Sequence, residues 1–297
     1  MLFFSGMEIS PPEVVSLSIS QQSAMEKIIE GIVDIAEFQD DKGNFLDFDQ
    51  WRGVTCNDQN EVDMIEWHEI IGGGSLDFSW VPRTVRILSI TQTDLSGSVN
   101  FAALPESVEE ILIEGTDFSG EVDWVSLPMG LRSLELESNH FTGEVMLTRL
   151  PESIKILSLF GNAFVGSIEL TQLPSTVHDL ILNRNQFTGE VDLRSLPPKM
   201  RSLMIDHNRL HGTVNLAHLP ASMQTLYLDH NTFSGELDLS SLPETLTGLC
   251  VDTNNFSGTL NLLHTAGVRF FTYGENNFSH FEEVEKASPD NDACRIC

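Results

Sequence analysis

Two matching dipeptides, Asp206-His207 and Asp229-His230, carry the strongest chemical potential in this sequence. Imidazole nitrogens and carboxylate oxygens are the donors that hold zinc and related divalent ions, so two such pairs side by side could bind one. The pairs lie 23 residues apart, and the rest of the chain keeps the same step. Their juxtaposition therefore comes with the repeat, neither pair sits in a dedicated ligand motif, and no metal is expected. A second candidate is Cys294-Arg295-Ile296-Cys297. A CxxC pair serves redox chemistry or half of a zinc site. No second pair is available to complete a zinc site, and Arg295 stands where a lipidated C-terminal cysteine wants an aliphatic neighbour. Residues 281–297 therefore read as an acidic flexible tail. The sequence holds no glycine-rich phosphate loop, zinc-protease helix or nucleophile elbow. No catalytic residues, no cofactor and no enzymatic activity are expected.

What positions these residues is a period. Proline falls at 82, 105, 128, 151, 174, 197, 220 and 243, each step 23 residues, without an insertion or deletion. Glycine keeps the step from Gly97 to Gly258, and asparagine from Asn139 to Asn254, with Thr93 and Thr116 at the asparagine place of the first two full units. One unit reads LPSTVHDLILNRNQFTGEVDLRS, from Leu173 to Ser195. Degenerate units extend the grid upstream to about Gln59 and downstream through Asn276 and Phe278, which makes ten coils over 59–280. Such units cannot bury their apolar side alone and must stack.

The L-x-L of each unit, such as Leu180-Ile181-Leu182, alternates as a strand does, with the leucines inward and the middle residue outward. Coils should stack about 4.8 Å apart as a parallel sheet. The asparagine after the strand should bond the backbone of neighbouring coils as a ladder. Phe118, Phe141, Phe164, Phe187, Phe233 and Phe256 should stack as a spine. The G-x-V-x-L segment alternates again, with Val191 and Leu193 inward, and predicts a second short strand rather than a helix.

These units resemble the plant-type subfamily of leucine-rich repeats, whose units carry N-x-L-x-G-x-I/V after the strand. The family runs one residue longer and has I-P where this chain has V-D-L, a departure that points to a divergent, protist-type relative. Trp51-Arg52-Gly53-Val54-Thr55-Cys56 is similar to the W-x-G-V-x-C signature of that family's N-terminal cap, but Asp49 and Gln50 stand where its second cysteine belongs. The resemblance implies a right-handed, curved parallel β solenoid with short convex segments, preceded by a cap over 1–58. In that cap Ser23 and Glu26 suggest a capping box, and Met25, Ile28, Ile29, Ile32 and Ala36 recur at helical spacing. The helix is expected to close the open sheet edge of the first coil.

On such a solenoid the concave face is where a partner sits. Its first outward column includes Ile181, Met204 and Tyr227, an apolar strip; the next runs Glu114, Glu137, Phe160, Asn183, Asp206, Asp229 and Asp252. A third column includes Arg184, His207 and His230. The formal charge is −28, from 44 acidic against 16 basic residues. That balance disfavours nucleic acid and anionic lipid and favours a basic protein surface. The expectation is a non-catalytic, monomeric scaffold that binds a basic protein partner through Glu114, Glu137, Phe160, Ile181, Met204, Asp206, Tyr227, Asp229 and Asp252. The other reading is a secreted or cell-surface recognition ectodomain, for which Asn255 and Asn277 supply N-F-S glycosylation sequons. No stretch is apolar enough to span a membrane. The apolar part of MLFFSGMEIS is too short for a signal-peptide core, which favours an intracellular setting.

Overall fold

The computed structural model describes residues 19–70 and 72–282. Each unit contributes one short strand to a long sheet of eleven strands, ten of them parallel. Registers repeat the sequence period: Leu180 pairs with Leu203 and Leu203 with Leu226, so equivalent residues stack on one another. The inward leucines Leu180, Leu182, Leu203 and Leu226 are fully buried, and each contributes about 2 kcal/mol by leaving water. Between Pro82 and Pro243 each column proline accepts the amide of the residue three positions on, a tight turn that feeds the strand.

The asparagine ladder forms as the pattern requires. The Asn185 side-chain amide donates to the carbonyls of Leu159, Leu182 and Asn183 at 2.8–3.2 Å, and its oxygen accepts the Phe164 amide at 3.0 Å. Asn162, Asn208, Asn231 and Asn254 repeat the arrangement. Beneath it Phe141, Phe164 and Phe187 stack with centroids 6.4 and 6.5 Å apart, as do Phe233, Phe256 and Phe278. Leu210 interrupts the spine between the two stacks.

The second strand is displaced from where its sequence pattern placed it. The second strand exists, in a nine-stranded parallel sheet, but it covers Gln186–Gly189 rather than the G-x-V-x-L segment. The column glycines lie at positive φ, Gly189 at 91°, and the strand stops at the glycine in this coil and one residue past it in others, as at Thr213 and Glu236; Val191 and Leu193 still point inward and are buried while the chain rounds the far side. Ten strands on one side against nine on the other make about nine full turns, because the first coil reaches the second sheet only through a bridge from Gly74 to Leu95.

The cap also differs. The helix α1 spans Gln21–Ile28, and Ser20, not Ser23, caps it by accepting the Ser23 amide. Ile32 and Ala36 lie beyond its end. The helix buries Met25 and Ile28 over the core, but the sheet edge is closed by β1 (Val54–Cys56), which pairs antiparallel with β2 (Val62–His68). Gly53 makes that hairpin possible: its φ is 78°, and a Cβ there would sit 1.9 Å from the Glu66 carbonyl oxygen. Trp51 is buried against Phe38, ring centroids 4.7 Å apart, and donates its indole N–H to the Leu46 carbonyl. Cys56 is a free thiol, and burial pushes its pKa up. Residues 283–297, with Cys294 and Cys297, lie outside the described residues.

Candidate binding face

The outer face of the long sheet, expected to be concave, is shaped by one turn repeated in every coil. The residue before each ladder asparagine adopts left-handed backbone: Ser138, Arg184, His207, His230, Thr253 and Glu275 have φ between 49° and 53°. A side chain in that conformation costs about 1 kcal/mol against a right-handed one, and Gly115 and Gly161 occupy the place in two other coils. The imidazoles of His207 and His230 lie beside the acidic column, each on the aspartate that precedes it.

The result is a polar ladder parallel to the asparagine one. Ser158 donates to Glu137 at 2.6 Å, and Asn183 donates to Asp206 Oδ2 at 3.2 Å. His207 Nδ1 lies 3.0 Å from Asp206 Oδ2 and 3.8 Å from Asp229 Oδ2. His230 Nδ1 lies 2.9 Å from Asp229 Oδ2. The two imidazoles stack with centroids 4.0 Å apart and planes 10° from parallel. Thr272 donates to Asp252 Oδ1.

Expected site residues occupy two depths. Glu114, Glu137, Phe160, Ile181, Met204, Tyr227 and Asp252 are half-buried on this face. Asp206 and Asp229 are not presented to solvent: they are only 1% and 2% exposed. Cys250, on the next coil, is also buried. Among the described residues, Asp206 Oδ1, Asp229 Oδ1 and Asn183 Oδ1 are buried without a hydrogen-bond partner. Burial raises the Asp229 pKa, and the His230 hydrogen bond opposes that rise. Asn183, from the same column, joins this network together with Ser158 and Thr272, neither of which was a candidate site residue. The repeat pattern puts Arg184, His207 and His230 in one column without their fold-back, although their place directly before the asparagine marks the turn.

The fold and its repeated ladders define the class: a leucine-rich-repeat solenoid. A leucine-rich-repeat family model matches residues 222–242, and the chain is a leucine-rich-repeat protein of 23-residue units. No curated protein matches the sequence. Among solved structures, a plant ice-binding protein aligns at 22% identity over 87% of this chain and 86% of its own, with a TM-score of 0.70. The ectodomain of the Arabidopsis thaliana receptor kinase GASSHO1/SCHENGEN3, solved in complex with CASPARIAN STRIP INTEGRITY FACTOR 2, aligns at 19% identity over 87% of this chain, with a TM-score of 0.68. PEPR1 in its structure with AtPEP1 aligns at 18% identity over 87% of this chain, with a TM-score of 0.58. This chain spans 36% and 45% of those two chains.

Proposed function

We propose that the chain is a non-catalytic scaffold that binds a protein partner on the outer face of the long sheet. The observation that carries this reading is the strip of Ile181, Met204 and Tyr227, half-buried on successive coils and bordered by the acidic column. Aromatic and thioether side chains on a preformed surface are common binding anchors, and the half-buried carboxylates of Glu114, Glu137 and Asp252 on the same face favour a basic partner. The GASSHO1/SCHENGEN3 ectodomain and PEPR1 share this fold and were solved with CASPARIAN STRIP INTEGRITY FACTOR 2 and AtPEP1, which supports the use of such a solenoid for recognition. No helix among the described residues is long and apolar enough to cross a membrane.

The depth of Asp206 and Asp229 decides how the reading is tested. Reversing them would bury a lysine charge and confound recognition with folding. The informative variants are Met204→Ala with Tyr227→Ala for the anchors, and Glu114→Lys with Glu137→Lys for charge selection. Affinity purification with mass spectrometry should recover a partner with wild type and lose it with the anchor variant. Unchanged recovery with both variants would sink the reading. A recognition ectodomain at a cell surface is a second reading, favoured by the exposure of both sequon asparagines, Asn255 and Asn277. Occupied glycans at either residue in protein from its native source would decide for it.

A further inference from the structure

We propose that His207, Asp229 and His230, with Asp206 beside them, form a zinc-binding site on the outer face of the long sheet. The repeat alone stacks the two dipeptides, so their spacing is no reason to expect one. Burial changes the weighing. A solvated column of aspartates has water for every lone pair, but Asp206 and Asp229 are sealed under the ladder and each keeps one oxygen without a partner among the described residues. A buried carboxylate oxygen left unmatched is a costly feature, and a bound cation is a chemically direct way to match it. Asp229 coordinating through both oxygens would satisfy its orphan.

The donors are already gathered. One ligand atom from each of His207, Asp229 and His230 lies within 4.8 Å of the others. Donor atoms on a tetrahedral zinc with bonds of about 2.1 Å sit about 3.4 Å apart. The distance from His230 Nδ1 to Asp229 Oδ2, 2.9 Å, and that from His207 Nδ1 to the same oxygen, 3.8 Å, bracket that spacing. Asp206 Oδ2 lies 3.0 Å from His207 Nδ1 but outside this set of donors, so it holds the His207 ring and the fourth position is left to water. Because the rings are stacked nearly parallel, aiming both lone pairs at one ion requires the imidazoles to turn about their Cβ–Cγ bonds. Their side chains are 25% and 44% exposed, which leaves room for that turn. Two imidazoles select zinc and its neighbours over calcium and magnesium, which prefer all-oxygen shells. Among the coils, only the two carrying Asp206-His207 and Asp229-His230 combine an aspartate with a histidine on the left-handed turn; the flanking coils carry Asn183-Arg184 and Asp252-Thr253.

The test uses the full chain, stripped with a chelator and titrated with zinc chloride alone by calorimetry. One zinc per chain is expected. Cobalt(II) in its place should give the visible absorption of a four-coordinate site. His207→Gln combined with His230→Gln should weaken zinc binding at least about ten-fold and abolish the cobalt spectrum. His211→Gln combined with His218→Gln, on exposed residues elsewhere, should change neither. Asp229→Asn provides a second loss variant, and the urea midpoint reports whether each variant stays folded. Binding well below one zinc per chain, or binding untouched in the folded double-histidine variant, would overturn the proposal. Because no protein partner enters the assay, its failure leaves the scaffold reading standing, and the reverse holds too.

Discussion

The two polar ladders of this solenoid are built on the same 23-residue step and end in opposite chemical states. In the interior, each fully formed asparagine rung spends its amide on carbonyls and its oxygen on a phenylalanine or leucine amide, as Asn185 does. On the outer face, a few residues away, the rungs change identity from coil to coil, and Asp206 and Asp229 are left with unmatched oxygens. A donor-and-acceptor amide fits a stack of identical coils because each coil supplies what the next one needs. An ionised carboxylate only accepts, so a column of carboxylates cannot satisfy itself and must draw on hydroxyls, imidazoles or something from outside. The first ladder is the fold's own fastening. The second is where this chain departs from self-sufficiency, and departures of that kind accompany function.

The largest effect should come from breaking what both ladders stand on. Leu180 is fully buried between them in the sixth strand of the parallel series, and Leu180→Asp places an unpaired charge in that core. A loss of at least about 4 kcal/mol is expected, read as a collapse of the urea midpoint. A mild shift would mean that the coils open locally and that the ladders are not one cooperative unit.

The next contrast is between the ladders themselves. Asn185→Ala removes the only partner of the Phe164 amide on that rung and should cost about 3 kcal/mol. In metal-free protein Asp229→Asn should stay within about 1 kcal/mol of wild type, since it removes a buried charge that burial already penalises and keeps a polar group beside His230. Equal losses for the two variants, measured by urea unfolding in chelator, would erase the distinction drawn here. On the binding side, Met204→Ala with Tyr227→Ala should weaken a captured partner by about 2 kcal/mol or more, near thirty-fold, while leaving the urea midpoint nearly unchanged.

These contrasts also explain which parts were legible beforehand. The interior ladder follows from periodicity and from what an amide can do, so the asparagine column, the inward leucines and most of the phenylalanine spine could be read from the residues. The outer face depends on backbone dihedrals. His207 at φ 50° folds its ring back onto Asp206; the place before the asparagine marks the turn, but hydropathy does not show that the aspartate beside it is sealed. The edge strand Val54–Cys56 was hidden for another reason: it occurs once, outside the repeat, and only the Gly53 turn brings it onto β2. The second-sheet strands were displaced by about half a segment because Val191 and Leu193 alternate in burial without joining a hydrogen-bonded ladder.

The smallest predicted effect compares two aspartates. Asp192, on the far side of the coil, has what Asp229 lacks. Its oxygens accept from the Arg194 guanidinium at 2.9 and 2.6 Å, and the Arg194 amide donates to it as well. Those bonds hold its pKa down at about 2, from an ordinary 3.8, the opposite direction to Asp229. A carboxylate depressed by folding adds stability that is fully present above its unfolded pKa of 3.8 and is lost as pH falls through about 2. The pair lies at the surface, with Arg194 exposed and Asp192 half-buried, so solvent and salt screen it and the effect on unfolding should be slight. The sensitive readout is the carboxyl carbon shift of Asp192 followed by NMR against pH. In wild type its midpoint should lie near 2, and Arg194→Ala should return it toward 3.8. The same substitution should leave the Asp229 resonance unmoved, because the two carboxylates share no hydrogen-bond or ion-pair partner. An Asp192 midpoint at the ordinary value in wild type would show that the Arg194 contact does not persist in solution, and the contrast between a matched and an unmatched aspartate would then rest on Asp229 alone.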